Sequence, residues 1–112
     1  MSKEITTEQL HEKIDAGEEF TLIEVLMPKV YEEGHLPGAI NIPYRRVAHD
    51  AGERLDKGDE VVVYCHDENC TASSIAAKKL ESSGFQKVLH YRGGKAAWRE
   101  AGHSLVPGPN PR

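Results

Sequence analysis

The sequence of 112 residues has few cysteines, no long apolar run and no cluster of basic residues. Its two cysteines, Cys65 and Cys70, exclude a framework of several disulfides. No stretch approaches the roughly 20 apolar residues that cross a bilayer, and the first residues form no apolar signal segment. We therefore expect a cytoplasmic protein whose thiols stay reduced unless they are used in chemistry.

Basic residues are neither abundant nor clustered. The chain has 14 lysines and arginines against 18 acidic residues, which gives a formal net charge of −4. The adjacent basic pairs are Arg45-Arg46 and Lys78-Lys79, and we interpret both as solvated surface. Because binding to phosphate groups needs clustered cations, we expect neither nucleic acid nor a membrane among the partners.

Segments typical of strands and helices alternate at short spacing along the chain. Strands are predicted over residues 20–26, 39–42, 60–64 and 88–91, and the third of these is almost continuously apolar. Helices are predicted between a capping box at Thr6 and the stop at Gly17, as a turn over 28–31, within 44–55, and over 72–83 and 95–101. This order predicts an α/β fold, a three-layer sandwich with a mainly parallel central sheet and helices on both faces. We expect a single domain over residues 1–112, with its core in about 5–102 and an extended, Pro-rich tail over 103–112.

The stretch VVVYCHDENCTAS places Cys65 at the end of the most apolar predicted strand, just before a predicted helix. Ligands bind outside the carboxyl ends of the strands in open α/β sheets. The loop of residues 66–71 can turn its main-chain N–H groups inward as an anion nest, which the helix N-terminus reinforces. Such dipoles lower the pKa of a cysteine and favour the nucleophilic thiolate. The alternative is that Cys65 only fills the edge of the core.

Three motifs resemble those of the single-domain rhodanese-like sulfurtransferases: GHLPGAINIP, VVVYC followed by AAKKL and GF, and YRGGKAAW. The resemblance extends from about Thr21 to Gly102. It implies the rhodanese fold, with Cys65 as the catalytic residue that carries sulfur as a persulfide. It also implies that residues 35–39 and Gly93-Gly94 form tight turns that support the active-site loop.

The predicted active-site loop departs from the pattern of that family. Family members usually carry Asp-x-Arg where this chain has Glu24-Val25-Leu26, and their loop contains a glycine and an arginine. In this chain the loop and its expected anion cradle consist of His66, Asp67, Glu68, Asn69, Cys70 and Thr71. The loop has no arginine, whose bidentate fork is hard to replace, and its two acids would repel an anionic donor unless they point outward. Arg92, expected at the same edge of the sheet, is the candidate for a substitute cation.

Cys70 and Thr71 each have two interpretations, and Ser73 has one. Cys70 is either a resolving thiol for Cys65 or a small side chain that packs the loop against the sheet. Thr71 and Ser73 are interpreted first as helix caps that offer hydroxyls to free N–H groups. The alternative, more specific hypothesis for Thr71 is a contact with a bound sulfur species.

The histidines and the spacing of the cysteines bear on two other kinds of chemistry, proton transfer near the thiol and metal binding. His66 and His90 either titrate near the thiol or lie on the surface, and His35 is interpreted as a hydrogen-bonding turn residue. The Cys-x4-Cys spacing does not match the usual Cys-x2-Cys spacing of zinc sites. We therefore expect no metal and no cofactor.

These observations favour a rhodanese-like sulfurtransferase or sulfur carrier that works through a Cys65 persulfide. The expected partners are a small sulfur donor (thiosulfate, polysulfide or a persulfide) and a thiol acceptor, with a partner protein as an open alternative. Two other functions stay open: a dithiol redox protein using Cys65 and Cys70, and a non-catalytic rhodanese-like binding module. A phosphatase or arsenate reductase is disfavoured because position 71 is Thr, and phosphoryl transfer relies on a cation.

Overall fold

The computed structural model describes residues 3–110. Within that range the chain forms strands β1 (Lys3–Glu4), β2 (Thr21–Glu24), β3 (Ile40–Asn41), β4 (Glu60–Tyr64) and β5 (Lys87–Tyr91). The helices of the same range are α1 (Thr7–Asp15), α2 (Pro28–Glu33), α3 (Val47–Arg54), α4 (Ala72–Ser82) and α5 (Gly94–Glu100).

The strands of residues 3–110 form one sheet in the order β1-β5-β4-β2-β3, and every neighbouring pair is parallel. Strand β4 lies at the centre, where its residues Val61, Val62 and Val63 have no exposed surface. A strand covered on both faces requires such a continuous apolar run. The predicted α/β fold with a parallel sheet is confirmed.

Helices cover the sheet on both faces and create two cores. On one face, Val47 of α3 and Leu80 of α4 pack with Val63 of the central strand. On the other face, Leu10 of α1, Tyr31 of α2 and Trp98 of α5 form a second cluster. Because side chains alternate along a strand, β4 contributes Val63 to the first core and Val62 to the second. Trp98 is only 2% exposed, so its predicted place in the core is confirmed.

The N-terminal helix α1 begins with the capping box that the sequence predicted. The Thr6 hydroxyl accepts the Gln9 N–H at 3.1 Å, and the Gln9 side-chain oxygen accepts the Thr6 N–H at 3.0 Å. Strand β1, in contrast, was not predicted. Its residues Lys3 and Glu4 are exposed and form a strand by pairing with β5, which is a contact that no local pattern encodes.

The segment of residues 103–110 lies against α2 and β3. Val106 forms an antiparallel bridge with His35. The Asn110 side chain accepts the Asn41 N–H at 2.9 Å and donates to the Asn41 carbonyl at 3.0 Å. These bonds satisfy main-chain groups of the edge strand β3 that would otherwise be free to pair with another chain. Within the described range, none of the helices combines the length and the apolar character needed to cross a membrane.

Candidate active site

Cys65 directly follows β4, at the carboxyl end of the central strand. Its neighbour Tyr64 is the last residue of that strand and accepts the Val25 N–H at 3.1 Å. Residues 66–71 then form the loop that leads into α4. The thiol therefore lies at the edge of the sheet where α/β proteins bind their ligands.

The Cys65 side chain is buried beneath this loop. The residue is 1% exposed and belongs to the core cluster between the sheet and α4. Its Sγ lies 3.1 Å from the Ser73 Oγ and 3.5 Å from the Cys70 carbonyl oxygen, which accepts a hydrogen bond from the thiol. Cys70 is a free thiol, is partly buried, and packs against the same cluster.

The pKa of Cys65 differs from the sequence-based expectation. The pKa of this thiol is raised to about 11: burial and then the Cys70 side chain raise it, while the Ser73 hydroxyl and main-chain N–H lower it. We had expected loop amides to lower the pKa by converging on the sulfur. In the structure the N–H groups of Asn69 and Cys70 bind Asp67 instead, so desolvation dominates.

Asp67 shapes the loop as a turn by accepting hydrogen bonds from main-chain N–H groups of the same loop. Its carboxylate accepts the Asn69 N–H at 2.9 Å, and its carbonyl accepts the Cys70 N–H at 3.1 Å. Asp67, Glu68 and Asn69 line a surface cavity of about 360 Å³, together with Glu100 of α5. The loop acids thus face this cavity, and the Glu68 side chain is exposed.

Thr71 precedes α4 but does not cap it as predicted. Among residues 3–110, its side chain finds no N–H group of the helix to bind, and it is exposed. The backbone of Thr71 is in the helical region, with φ −92° and ψ −10°, whereas a side-chain cap needs extended backbone. Ser73 is also not a cap, because its buried hydroxyl faces Cys65.

Ser73 links the thiol to a histidine. The Ser73 Oγ lies 2.7 Å from the His90 Nε2 and 3.1 Å from the Cys65 Sγ. Ser73 is 1% exposed and lies in the first turn of α4, while His90 lies on β5 next to the central strand. Burial lowers the pKa of His90. We call Cys65, Ser73 and His90 the thiol cluster.

The first turn of α5 holds the main chain at the start of the loop. The Lys95 N–H donates to the Cys65 carbonyl at 3.1 Å, and the Ala96 N–H donates to the His66 carbonyl at 2.9 Å. Gly94 allows this close approach because its φ is +61° and a methyl group there would overlap the Cys65 carbonyl oxygen. The glycine turn thus supports the loop as the resemblance implied.

A second buried polar group lies on the opposite face of the sheet. The Lys95 Nζ is 3.0 Å from the Glu24 Oε2 and also donates to the Val30 carbonyl at 3.3 Å. The Tyr64 hydroxyl donates to the Glu24 Oε1 at 2.9 Å and accepts the Leu36 N–H at 3.0 Å. We call Glu24, Tyr64 and Lys95 the ion-pair cluster.

Burial shifts the pKa values of the two acidic groups in the ion-pair cluster, Glu24 and Tyr64. It raises the pKa of Glu24, although hydrogen bonds and charge from Lys95 and Tyr64 act in the opposite direction. The pKa of Tyr64 is also raised, first by burial and then by the Glu24 charge. Glu24 has no exposed surface and Lys95 is 4% exposed. Each of them therefore depends on the other for an opposite charge.

Arg92, the predicted substitute cation, lies at the end of β5 on the surface. Its Nη1 is 3.6 Å from the Glu4 Oε2, and both side chains are more than half exposed. Three other basic side chains, His66, Lys95 and Arg99, line a small cavity of about 160 Å³ on the other side of the loop. The contacts of residues 3–110 place Arg92 beside Glu4 rather than beside the thiol.

One group of possible metal ligands occurs in the described part of the chain. It consists of His49, Asp50 and Glu53 on α3, whose ligand atoms all lie within 4.8 Å of one another. Asp50 already accepts bonds from Arg46 at 3.1 Å and 3.3 Å. This group is on the surface helix α3 and does not include the Cys65 loop. His35 forms the hydrogen bond that its predicted role required, since its Nδ1 donates to the Tyr31 carbonyl at 2.9 Å. Its main chain pairs with Val106 and precedes the turn at residues 37–38.

The family of the chain follows from its match to a known domain. A family profile described as "Rhodanese-like domain" matches residues 6–101. The chain belongs to the rhodanese-like domain family. The resemblance seen in the GHLPGAINIP and YRGGKAAW motifs is thereby confirmed.

Relatives of this rhodanese-like domain are named for sulfur transfer. "Putative sulfurtransferase YtwF" of Bacillus subtilis is 38% identical over 96 residues, which cover 86% of this chain and 89% of the relative. "Putative sulfur carrier protein YrkF" of the same species is 33% identical over 95 residues, which cover 85% of this chain and 50% of the relative. The domain therefore spans half the length of that carrier protein.

A solved structure shows the same fold. The crystal structure of the BH2092 protein from Bacillus halodurans superposes with a TM-score of 0.88 at 30% identity. The superposition covers 95% of this chain and 77% of that one. The parallel sheet with its flanking helices is thus the architecture of a known structural neighbour.

The partners of Cys65 were only partly found from the sequence. Ser73 was interpreted as a cap and His90 was one of several candidate histidines, so their contact was not predicted. A serine in the first turn of a helix whose next inward positions are alanines is a signal for a buried hydroxyl, and a buried hydroxyl needs a partner. The signal for Glu24 is clearer, because an acid in an apolar strand requires a buried cation.

Proposed function

We propose that this domain transfers sulfane sulfur through a persulfide on Cys65. The observation that carries the proposal is the position of one thiol: it ends the central strand at the N-terminal turn of α4, with Ser73 in hydrogen-bond contact. Helix N-termini and hydroxyl donors stabilise an anionic sulfur there. The names of the relatives, which include a sulfurtransferase and a sulfur carrier, support the same reaction class.

The reaction has two displacement steps at sulfur. The Cys65 thiolate attacks the outer sulfur of the donor, the S–S bond of the donor breaks, and the leaving group takes the electron pair. That leaving group is sulfite from thiosulfate, a thiolate from a persulfide, or a shorter polysulfide. An acceptor thiolate then attacks the terminal sulfur of the Cys65 persulfide and releases the Cys65 thiolate.

The loop of residues 66–71 surrounds the terminal sulfur in this proposal. Because Cys65 is 1% exposed, a donor reaches its sulfur only after the loop moves. Movement of the turn at Asp67 frees the N–H groups of Asn69 and Cys70, which then become donors for the anionic persulfide. His66, Glu68 and Thr71 stand on the outer surface of the loop, where donor and acceptor approach.

Mass spectrometry of the intact protein tests the persulfide directly. The protein is incubated with thiosulfate, a polysulfide or a low-molecular-weight persulfide. We expect wild type and Cys70→Ala to gain the mass of one sulfur atom and Cys65→Ala to gain none. Equal labelling of wild type and Cys65→Ala would overturn the proposal. If neither wild type nor Cys70→Ala gains sulfur with any donor, the domain is a binding module rather than a sulfurtransferase.

Arg92 remains our candidate for holding an anionic donor. It lies at the carboxyl end of β5, and its ion pair with Glu4 is exposed, so it costs little to break. Arg92→Ala is expected to raise the KM for thiosulfate but not for a neutral organic trisulfide, while Arg45→Ala, an exposed arginine on another element, changes neither. Equal KM values for thiosulfate in wild type and Arg92→Ala would remove Arg92 from the site.

A dithiol reaction is the second candidate, and one observation favours it. The Cys70 side chain interacts with the Cys65 thiol strongly enough to raise the pKa of Cys65. Attack of the Cys70 thiolate on the Cys65 persulfide would release hydrosulfide and leave a disulfide between the two residues. Alkylation of free thiols before and after polysulfide treatment tests this reaction: loss of two thiols, restored by a reductant and absent in Cys70→Ala, supports it.

A further inference from the structure

The thiol cluster forms a continuous line of polar atoms from the reacting sulfur to a base. The Cys65 Sγ lies 3.1 Å from the Ser73 Oγ, and this oxygen lies 2.7 Å from the His90 Nε2. Both distances are within hydrogen-bond range. Cys65 directly follows β4, Ser73 lies on α4 and His90 lies on β5, and these three elements are packed against one another. The alignment therefore does not depend on the conformation of residues 66–70.

We propose that Ser73 and His90 relay the proton of the Cys65 thiol away from the sulfur when the nucleophile forms. The inference rests on the proposed persulfide chemistry and assigns it a base that the loop does not contain. The single thiol proton has two acceptors within reach, the Cys70 carbonyl at 3.5 Å and the Ser73 oxygen at 3.1 Å. The relay starts when the thiol donates to the Ser73 oxygen while the Ser73 hydroxyl donates to the Nε2 of neutral His90. Ser73 contacts the reacting atom, and His90 is a positioning residue that acts through Ser73.

The proton transfer is balanced within these three residues. The Cys65 proton moves to the Ser73 oxygen as the Ser73 proton moves to the His90 Nε2. Ser73 is unchanged, Cys65 becomes a thiolate and His90 becomes an imidazolium. The thiolate then attacks the sulfane sulfur, and the persulfide anion that results keeps the imidazolium as its counter-charge until the acceptor removes the sulfur.

The surroundings of His90 favour its neutral form. Burial lowers the pKa of His90, the nearby Arg92 lowers it as well, and Glu4 on the neighbouring strand β1 raises it. From α4 the facing group is Ser73, and Cys65 lies on the other side of Ser73, in contact with its hydroxyl. A buried thiol with a raised pKa needs such a base, because otherwise very little thiolate exists at neutral pH.

Persulfidation rates of matched variants test the relay. General-base assistance contributes about 10²- to 10⁴-fold, so Ser73→Ala and His90→Gln are expected to slow persulfidation at neutral pH by about 10²-fold or more. Ser73→Thr retains the hydroxyl and should restore most of the rate. Ser74→Ala, next to the relay serine, and His49→Gln, on the exposed face of α3, should keep the wild-type rate. Circular dichroism establishes that each variant is folded, and if Ser73→Ala does not fold, His90→Gln and Ser73→Thr carry the test.

The pH profile separates a relay from a structural role. In wild type the persulfidation rate should rise with pH as His90 loses its proton and then level off near neutrality. In His90→Gln that rise should vanish and be replaced by one at alkaline pH, where the Cys65 thiol ionises by itself. NMR titration gives an independent readout: conversion of Cys65 to the persulfide should raise the pKa of His90 in wild type but not in Ser73→Ala.

Failure of the relay and failure of the proposed function give different results. If wild type and His90→Gln form the persulfide at the same rate with the same pH profile, the relay is wrong and the persulfide chemistry stands. If neither wild type nor Cys70→Ala forms a persulfide with any donor, the proposed function fails. Iodoacetamide then probes the relay in the same variants: an alkylation profile that His90→Gln moves to higher pH supports it, and an unchanged profile overturns it.

Discussion

The thiol cluster and the ion-pair cluster lie on opposite faces of the same sheet, and they solve the problem of buried polarity differently. In the thiol cluster, neutral groups form hydrogen bonds in series. In the ion-pair cluster, the Glu24 carboxylate and the Lys95 ammonium are buried together, with Tyr64 as a further donor. The first arrangement allows a proton to move, whereas the second fixes charge in place.

The two clusters also predict opposite effects of pH on stability. The folded pKa of Glu24 is raised, so the folded state holds this proton more tightly than the unfolded state, and stability falls as pH rises above about 4.5, the ordinary pKa of the group. The folded pKa of His90 is lowered, so the unfolded state takes up the proton first, and stability falls as pH drops below about 6.5, the ordinary pKa of histidine. Variants of each cluster can therefore be distinguished by their pH dependence.

The largest stability effect is expected from Lys95→Met. This change leaves the Glu24 carboxylate buried without its cation, which costs about 3–5 kcal/mol. Urea denaturation at neutral pH measures the loss, and the loss should shrink toward acid pH because Glu24 then becomes protonated. The double variant Glu24→Gln/Lys95→Met should recover most of the stability, and a double variant no more stable than Lys95→Met would contradict the pairing.

Gly94→Ala tests whether the first turn of α5, which carries Lys95 of the ion-pair cluster, holds Cys65 of the thiol cluster in position. Glycine φ values near +60° cost other residues about 1–2 kcal/mol, and at Gly94 the added methyl group also meets the Cys65 and His66 main chain. We expect lower stability and slower persulfidation. Gly102→Ala is the matched control, because its φ is +88° and no heavy atom of residues 3–110 lies within 4 Å of the added Cβ. Equal effects of the two changes would show that the contact with Cys65 is unimportant.

Tyr64→Phe probes the neutral member of the ion-pair cluster. It removes the donor to Glu24 and leaves the buried Leu36 N–H without its acceptor, at a cost of about 1–3 kcal/mol. Thermal unfolding measures this difference. Tyr44→Phe serves as the comparison, since the Tyr44 hydroxyl takes part in an exposed bond with Arg45 and its loss should have little effect.

The smallest stability effect is expected from His90→Gln. The change removes a half-buried group with a lowered pKa, so the decrease in stability below about pH 6.5 should become shallower. Free energies of unfolding measured from neutral to mildly acidic pH give the slope. A slope identical to that of wild type would mean that His90 titrates in the folded protein as it does in the unfolded chain.

Local patterns predicted the elements of this fold well. The capping box at Thr6 and the apolar run of β4 specify a helix start and a buried strand from neighbouring residues alone. Strand β1 was missed because two exposed residues become a strand only when β5 lies beside them. The docking of Val106 against His35 was missed for the same reason, since it joins distant parts of the chain.

The site was predicted less completely than the fold. The place of Cys65 follows from the end of an apolar strand, but the direction of its pKa shift depends on where the loop amides point. Asp67 binds two of those amides, and sequence spacing does not reveal this choice. Likewise Ser73 and His90 meet because α4 packs across β5, which is a tertiary contact rather than a local preference.

The hydrogen bonds from Lys95 and Ala96 to the Cys65 and His66 carbonyls separate two properties of the domain. They anchor the sulfur to a rigid helix, while the next residues of the loop bond mainly to one another. Substitutions at Glu68 and Asn69 should therefore change which molecules reach the Cys65 sulfur without moving the sulfur itself. In the proposed reaction, selectivity and reactivity can thus vary independently, and a library randomised at these two positions would test which sulfur acceptors the domain can use.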